Sequence, residues 1–89
     1  MTIFVEPPHA YSLARGMARV AGVPLAREVI EGRLTRAQLS RMVARCQICP
    51  HAQACAGWLS VLRDHERLPD FCANRPDIET LARRTEYAG

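Results

Sequence analysis

Apolar residues recur along most of the chain with the spacing of amphipathic helices. From residue 12 onward they return every three to four positions, beginning with Leu13 and Met17 and continuing to Val20 and Ala21. Gly22 follows, and glycine is favoured just beyond a helix end. The sequence therefore predicts a first helix that starts near residue 12 and ends before Gly22.

The residues before this helix do not follow the same spacing. Ile3 to Val5 is the only run typical of a strand, and Pro7 and Pro8 come soon after it. Proline lacks the backbone N–H that a strand or a helix interior needs, so we expect regular structure to stop there. The prediction is an N-terminal extended segment over residues 1–11 and a helical metal-binding domain over residues 12–89.

A second and a third helix are predicted from their end signals. Pro24 and Gly32 bracket a short segment, because proline suits a first helical turn and glycine the position past the end. Thr35 and Gln38 have the spacing of a capping box, in which each side chain accepts from a free backbone N–H of the other residue. The inward residues are predicted to be Leu25, Val29 and Ile30 in the second helix, and Leu39, Met42, Val43 and Cys46 in the third.

Two further helices complete the predicted fold. Pro50 suits the first turn of a fourth helix, and the polar stretch from Asp64 to Pro69 is typical of a loop. Asn74 or Arg75 is expected to cap a last helix that begins near Pro76. The inward residues are predicted to be Cys55, Trp58, Leu59 and Leu62 in the fourth helix, and Ile78, Leu81, Ala82 and Thr85 in the last.

The predicted fold class is therefore all-α, a single small domain of four to five short helices packed around a four-cysteine metal centre. The chain has 89 residues, of which 48% are hydrophobic and 24% charged, as expected of a globular domain rather than a disordered tail. No apolar run approaches the ~18 residues that a membrane span needs. The N-terminus lacks the basic and apolar regions of a signal peptide, so we expect a cytoplasmic protein.

The metal centre is predicted from four cysteines with the spacing Cys46-x2-Cys49-x5-Cys55-x16-Cys72. In a reducing compartment disulfides are rare, so four cysteines in a small chain point to metal binding. Two thiolates three residues apart reach one metal, and a nearby third and a distant fourth complete a tetrahedral set. Both Cys46 and Cys55 are also predicted to face the interior, which agrees with a shared site.

Two metals fit this spacing. Three close cysteines with one remote cysteine are typical of an iron–sulfur cluster, and a proline after a ligand, as in Cys49-Pro50, recurs in cluster-binding runs. Zinc ribbons more often use two pairs of cysteines. We therefore favour a [4Fe-4S] cluster, with Zn²⁺ as the alternative cofactor. His51 is the alternative zinc ligand, although with four cysteines present we expect it to lie outside the ligand set.

Three readings without a metal remain open. In the first alternative, the four cysteines form two disulfides. In the second, Cys46 and Cys49 act as a redox dithiol. In the third, Cys46 and Cys55 are only small core residues. A cytoplasmic location disfavours the first, and the absence of a βαβ pattern disfavours the second. A core role for all four cysteines is disfavoured because cysteine is scarce.

Nearly the whole chain, from about residue 12 to about residue 85, resembles short proteobacterial four-cysteine proteins classed as a domain of unknown function. The resemblance is carried by four stretches of sequence: Gly32-Arg-Leu-Thr35, Arg45-Cys-x2-Cys49, Cys55-Ala-Gly-Trp58-Leu59 and Pro69-Asp-Phe71-Cys72-Ala-Asn74. It implies a helical module with a metal centre and brings no assigned activity.

A shorter stretch, Arg45-Cys46-Gln-Ile-Cys49-Pro50 with Cys55 further on, is similar to the cluster segment of the WhiB-like iron–sulfur proteins. In that family the segment holds a [4Fe-4S] cluster together with a cysteine on its N-terminal side. Here the fourth cysteine, Cys72, lies on the C-terminal side, and the Gly-Trp-Gly turn and the basic tail of that family are missing. The likeness supports the cluster ligands only.

The net charge of the chain indicates which class of partner it binds. The formal charge is +3, and four thiolates around [4Fe-4S]²⁺ or Zn²⁺ contribute about −2, which leaves about +1. A nucleic-acid partner is therefore not expected, although an Arg-rich regulator remains the third hypothesis. We read Arg36 and Arg41 as a solvated helix face, whereas Arg45, which borders Cys46, is a candidate to offset the charge of the site.

The aromatic residues and Asn74 have expected roles around the site. Trp58 and Phe71 are expected to shield the centre from water, and Asn74 is expected to be a helix cap rather than a group that bonds sulfur. The sequence contains no catalytic constellation, so we do not expect an enzyme. It predicts a protein for electron transfer or redox and oxygen sensing with a protein partner; the alternative is a zinc-stapled adaptor.

Overall fold

The computed structural model describes the backbone of residues 6–61 and 67–88, and the side chains of these residues as far as Arg83. This part of the chain is helical and contains no strand, which confirms the all-α class. None of its helices has the length and apolar character needed to cross a bilayer. The five helices are α1 (Pro7–Val20), α2 (Leu25–Ile30), α3 (Arg36–Gln47), α4 (Ala52–Leu59) and α5 (Arg75–Ala88).

The first helix begins earlier than predicted. Pro7 and Pro8 occupy the first turn of α1, where a backbone N–H has no intrahelical partner and proline is tolerated. The carbonyl of Glu6 accepts from the N–H of Ala10 at 2.8 Å, and Ala10 is fully buried. An extended conformation is therefore wrong for residues 7–11, while residues 1–5 lie outside the described residues.

Glycine ends both α1 and α2 as predicted, and by the same geometry. Gly22 and Gly32 each have φ of 80°, the left-handed region that glycine enters without a steric cost. After α1, the N–H of Val23 donates to the carbonyl of Ala18 at 2.8 Å. After α2, the N–H of Arg33 donates to the carbonyl of Glu28 at 2.9 Å. These bonds belong to Schellman motifs, which reverse the chain after each helix.

The predicted inward face of α2 is wrong at one position. Leu25 is buried and Val29 is partly buried, but Ile30 is 84% exposed. Glu28 is fully buried in its place, and its carboxylate accepts from Nε of Arg33. The chain reversal at Gly32 brings this guanidinium back over α2, so a charged pair fills a position that periodicity assigned to an apolar side chain.

The third helix agrees with its prediction. The N–H of Gln38 donates to Oγ1 of Thr35 at 3.0 Å, and the N–H of Thr35 donates to Oε1 of Gln38 at 2.8 Å, which completes the capping box. Met42 is fully buried, and the rest of the predicted stripe packs against the core. Helix α3 packs mainly on α1, and Met42 of α3 and Met17 of α1 belong to the same buried core.

The fourth helix begins at Ala52, later than the predicted first turn at Pro50. The chain first makes a turn in which the N–H of Cys49 donates to the carbonyl of Cys46 at 3.3 Å. Helix α4 then approaches α1 closely, because a Cβ on Gly16 would lie 3.0 Å from Cδ1 of Leu59. Glycine at this position therefore lets the two helices approach.

Helix α5 begins at Arg75, directly after Asn74, and buries Ile78 and Leu81. Residues 67–69 of the predicted loop have no regular structure, while residues 64–66 lie outside the described residues. Leu62 and the side chain of Thr85, both predicted to face inward, also lie outside them. The buried hydrophobic core comprises Ala10, Leu13, Ala14, Met17, Ala18, Val20, Val23, Leu25, Leu34, Met42, Ala52, Cys55, Leu68, Ile78 and Leu81.

Candidate metal centre

Four cysteines from different parts of the chain line one cavity. Cys46 lies in the last turn of α3, Cys49 in the turn that follows, Cys55 within α4 and Cys72 in the segment before α5. The cavity has a volume of about 20 Å³. Its other lining residues are Leu13, Ala14, Met17, Arg45, Ala52, Phe71, Ala73 and Asn74. The sequence predicted these four residues as one site, and the fold brings all of them to one place.

Cys49 and Cys72 lie outside the helices, and local turns fix their positions. Beside the turn at Cys49, the N–H of His51 donates to Sγ of Cys49 at 3.4 Å. The N–H of Cys72 donates to the carbonyl of Pro69 at 3.1 Å, and the carbonyl of Cys72 accepts from the N–H of Arg75 at 3.2 Å. Cys72 therefore lies in a compact bend at the entrance to α5.

The four thiols are free, and burial raises the pKa of three of them, Cys46, Cys55 and Cys72. Burial raises the pKa of Cys46 to about 11, with further increases from the nearby Cys72 and Cys49. Burial likewise raises the pKa of Cys55 to about 12, with Cys72 as the next largest cause. Each thiolate would disfavour the others in this small space, so the site needs a cation before several of its sulfurs ionise.

Cys72 has a raised pKa for the same reason, but neighbouring donors oppose the shift. Burial raises its pKa, while hydrogen bonds from the backbone N–H groups of Asn74 and Arg75 and the charge of Arg75 lower it. These donors favour the thiolate form. The structure therefore combines an apolar cavity, which disfavours charge, with N–H groups directed at sulfur.

Asn74 provides the most buried of these donors. Its Nδ2 lies 3.4 Å from Sγ of Cys46 and 2.9 Å from the carbonyl oxygen of Met42, and the residue is 1% exposed. The expectation that Asn74 does not bond sulfur is wrong. Asn74 directly precedes α5, and its own carbonyl accepts from the N–H of Ile78 at 3.0 Å, but its side chain reaches across to α3.

Arg45 connects this contact to the surface. Its Nη1 donates to Oδ1 of Asn74 at 3.1 Å and to Oδ2 of Asp77 at 2.5 Å. We call this sequence of contacts, from Asp77 through Arg45 and Asn74 to Cys46, the α3–α5 relay. The sequence indicates Arg45 by its position beside Cys46, whereas no sequence pattern indicates Asp77, because its contact with Arg45 depends on how α5 packs.

Two aromatic residues differ in their relation to the cavity. Phe71 lines it, as predicted. Trp58 packs against the core but is not among the residues that line the cavity, so its role in shielding the centre stays a prediction. Trp58 lies three residues after Cys55 in α4, which places the two side chains on the same side of the helix, about one turn apart.

His51 lies at the edge of the site and is exposed. Its ring stacks in a tilted arrangement on Phe71, with 5.5 Å between ring centroids. The contact to the cysteines comes from its backbone N–H rather than its imidazole. Arg36 and Arg41 are also exposed, as the reading of a solvated helix face expects.

The chemistry of the donors fits a soft metal or an iron–sulfur cluster. Cysteine thiolate is the preferred ligand of both, and outer donors to ligand atoms are a regular part of such sites. As the side chains stand, no group of three or more His, Cys, Asp or Glu residues within the described ranges is arranged to hold a metal ion. The metal centre is therefore a proposal, which rests on the shared cavity and the N–H groups directed at sulfur.

The chain belongs to a family of unknown function, DUF6455, which matches residues 1–84. This match confirms the expected resemblance to a domain of unknown function. No protein of curated function and no solved structure shows significant similarity to the chain.

Proposed function

We propose that this member of DUF6455 is a small cytoplasmic iron–sulfur protein that acts in electron transfer or in redox and oxygen sensing. The proposed ligands of its [4Fe-4S] cluster are Cys46, Cys49, Cys55 and Cys72. The observation that carries the proposal is the convergence of all four thiols on one cavity with a mostly apolar lining. Four free thiols at one place in so small a domain are otherwise difficult to explain.

Sequence spacing and nearby donors support a cluster over other uses of the thiols. Three close cysteines and one remote cysteine, with Pro50 after Cys49, are typical of iron–sulfur cluster sites. The N–H groups directed at Cys46, Cys49 and Cys72 are of the kind that set the reduction potential of a bound cluster. When bound, such a cluster supplies reversible one-electron redox chemistry.

The two redox roles make different demands on the fold. Electron transfer needs a centre near the surface, and Cys46, Cys49 and Cys72 are only half-buried. Sensing needs loss of the cluster to change the protein, and Cys55 is a buried member of the core that α4 contributes beside α1. The exposure of the cysteines is compatible with both roles, and an experiment must distinguish them.

A redox titration with a parallel oxygen exposure tests the proposal. The protein is purified without oxygen, and its visible absorption is followed against applied potential and then against time in air. A reversible couple with unchanged helicity by circular dichroism supports electron transfer. Bleaching in air with loss of helicity supports sensing. A colourless protein with no couple would overturn the iron–sulfur proposal.

A zinc-stapled helical adaptor is the second candidate, and the cavity volume favours it. About 20 Å³ is the space of roughly one water-sized atom, which suits a single ion bound by four sulfurs at about 2.3 Å. Such a protein is colourless and redox-silent, and chelators unfold it. Zinc content with intact helicity, both lost on chelation, would support this candidate.

We propose a protein rather than a nucleic acid as the partner. The formal charge of +3 falls to about +1 once four thiolates surround a divalent centre, so the charge available for phosphate binding is small. The proposed role is to carry or sense electrons for that partner, with no reaction of its own.

A further inference from the structure

A second concave surface lies between α1, α2 and α4, next to the cysteine cavity. It has a volume of about 650 Å³ and opens to solvent. We call it the α1–α4 groove. Its lining residues are Ser12, Leu13, Arg15, Gly16, Arg19, Val23, Pro24, Leu25, Ala26, Ala56, Leu59 and Ser60. Most of these are apolar or small, so the groove offers a surface that a partner's apolar side chains can cover.

The groove carries positive charge that the described residues do not neutralise. Arg15 and Arg19 are both exposed and lie one turn apart on α1, on its groove side. None of the groove residues is acidic. Neither arginine has an ion pair within the part of the chain that the structure describes, in contrast to Arg33, Arg45 and Arg75, which all have carboxylate partners.

We propose that the α1–α4 groove binds an acidic amphipathic segment of a protein partner. Two carboxylates one helical turn apart match the spacing of Arg15 and Arg19, and apolar residues between them cover the groove floor. A nucleic-acid backbone would pair with the arginines but would leave the apolar floor without a partner. The combination of charge and apolar surface therefore favours a peptide over a phosphate backbone.

The groove is separated from the cysteine cavity by a single layer of side chains. Leu13 lines both spaces. In α4, Cys55 lines the cavity while the next residue, Ala56, lines the groove. A partner in the groove would thus lie against the wall of the site that we propose to hold the cluster. That the groove receives a redox partner rests on the proposed function, whereas the proposal that it binds an acidic peptide does not.

The test uses the full chain as purified and a labelled helical peptide as the probe. The peptide carries two glutamates one turn apart and leucines on the same face; a matched peptide has glutamine in place of glutamate. Binding is followed by fluorescence anisotropy and mapped by amide chemical shifts. We expect binding of the acidic peptide, with shifts at Gly16, Ala26 and Ala56, and weaker binding of the glutamine peptide.

Variants assign the charge contribution. The double change Arg15→Glu with Arg19→Glu should lower the affinity for the acidic peptide by about tenfold or more, because two attractive charge pairs become repulsive. The matched control is Arg36→Glu, an exposed arginine on α3 outside the groove, which should leave binding unchanged. No binding of the acidic peptide, shifts away from the groove, or equal binding by the double variant would each overturn the proposal.

Two further measurements distinguish the peptide-binding proposal from nucleic-acid binding and from the cluster proposal. Duplex DNA that binds more tightly than the peptide, and is released by the same double change, would overturn the peptide proposal in favour of nucleic acid. Metal and sulfide content are measured on the same samples. If the protein binds the peptide but contains zinc, the groove proposal stands and the cluster proposal is overturned. If the protein contains a cluster but does not bind the peptide, the cluster proposal stands and the groove proposal is overturned.

Discussion

Nδ2 of Asn74 lies 3.4 Å from Sγ of Cys46, while Oδ1 of the same amide accepts a hydrogen bond from Arg45. The orientation of this amide follows from its neighbours. A guanidinium only donates, so it requires the oxygen, and the carbonyl of Met42 only accepts, so it requires the nitrogen. Arg45 and Met42 together therefore direct an N–H of Asn74 at the sulfur.

The first prediction concerns this amide. The change Asn74→Ala should lower the free energy of unfolding by about 1–3 kcal/mol, because it removes a buried donor to Met42 and the acceptor for Arg45. It should also lower the reduction potential of the cluster, because an N–H directed at sulfur favours the more negative reduced form. Denaturant unfolding and a redox titration measure the two effects.

A matched control for this variant is Thr80→Ala. Thr80 lies on α5 and bonds the carbonyl of Pro76 at 2.9 Å, so its loss also removes a hydrogen bond of this helix without touching a cysteine. The control should leave the potential unchanged. An equal potential in the Asn74→Ala and wild-type proteins would contradict a role of Asn74 at the sulfur.

The second prediction concerns Cys55, the proposed ligand that lies deepest. Cys55 is 8% exposed and packs in the core, so loss of its bond to the metal should disturb α4 as well as the centre. Cys55→Ser should remove the metal and most of the helicity together, as measured by metal analysis and circular dichroism. His51→Ala is the control and should keep its metal, since the imidazole is exposed and only the backbone N–H contacts Cys49.

Each variant has a result that would contradict the account. A folded and metal-loaded Cys55→Ser protein would remove Cys55 from the ligand set. Loss of metal from the His51→Ala protein would instead indicate a mixed cysteine and histidine zinc site. The two outcomes are independent, because the first concerns a core thiol and the second a surface ring.

The third prediction is a pH dependence of metal binding. Burial raises the pKa of Cys46 to about 11 and that of Cys55 to about 12, so both thiols keep their protons at neutral pH without metal. Metal binding must release these protons, which makes the thiolate pKa in the loaded protein lower than in the unfolded chain. The stabilisation by metal is therefore present near neutral pH and is lost as the pH falls.

Competition titrations with Zn²⁺ as the probe measure this effect. Affinity should increase from about pH 6 to about pH 8, and calorimetry in buffers of different ionisation enthalpy should show proton release. Binding with no pH dependence and no proton release would contradict ligation by thiols that start protonated.

The fourth prediction compares two glycines. A Cβ at Gly32 or at Gly57 would meet no atom within 4 Å, so only the backbone differs between them. Gly32 has φ of 80°, where alanine is strained, whereas Gly57 lies inside α4. Gly32→Ala should destabilise the protein by about 1–2 kcal/mol, and Gly57→Ala should stabilise it by about 0.5–1 kcal/mol. Thermal unfolding of the two variants checks the opposite signs.

Features that depend on neighbouring residues were predictable from the sequence. The capping box of Thr35 and Gln38 and the helix ends at Gly22 and Gly32 require only local geometry, and the structure has them. The start of α1 at Pro7 shows the limit of this reasoning. Proline disfavours a strand or a helix interior, but the first turn of a helix tolerates it, and Pro7 and Pro8 lie in that turn.

Features that depend on packing were not predictable in the same way. The contact of Asn74 with Cys46 joins residues that are 28 positions apart, and only the docking of α5 on α3 creates it. The burial of Glu28 in place of Ile30 likewise depends on how Arg33 returns over α2. The four cysteines were predicted as one site from their spacing, and the structure places all four around one cavity; a bound metal stays a prediction.

The central claim is that the four cysteines hold a [4Fe-4S] cluster, and analysis of metal and acid-labile sulfide tests it most directly. The protein is purified without oxygen, and iron, zinc and sulfide are measured per chain in the same sample. The account predicts about four irons and about four sulfides with no zinc. About one zinc per chain with no sulfide, or a folded chain with no metal at all, would contradict it.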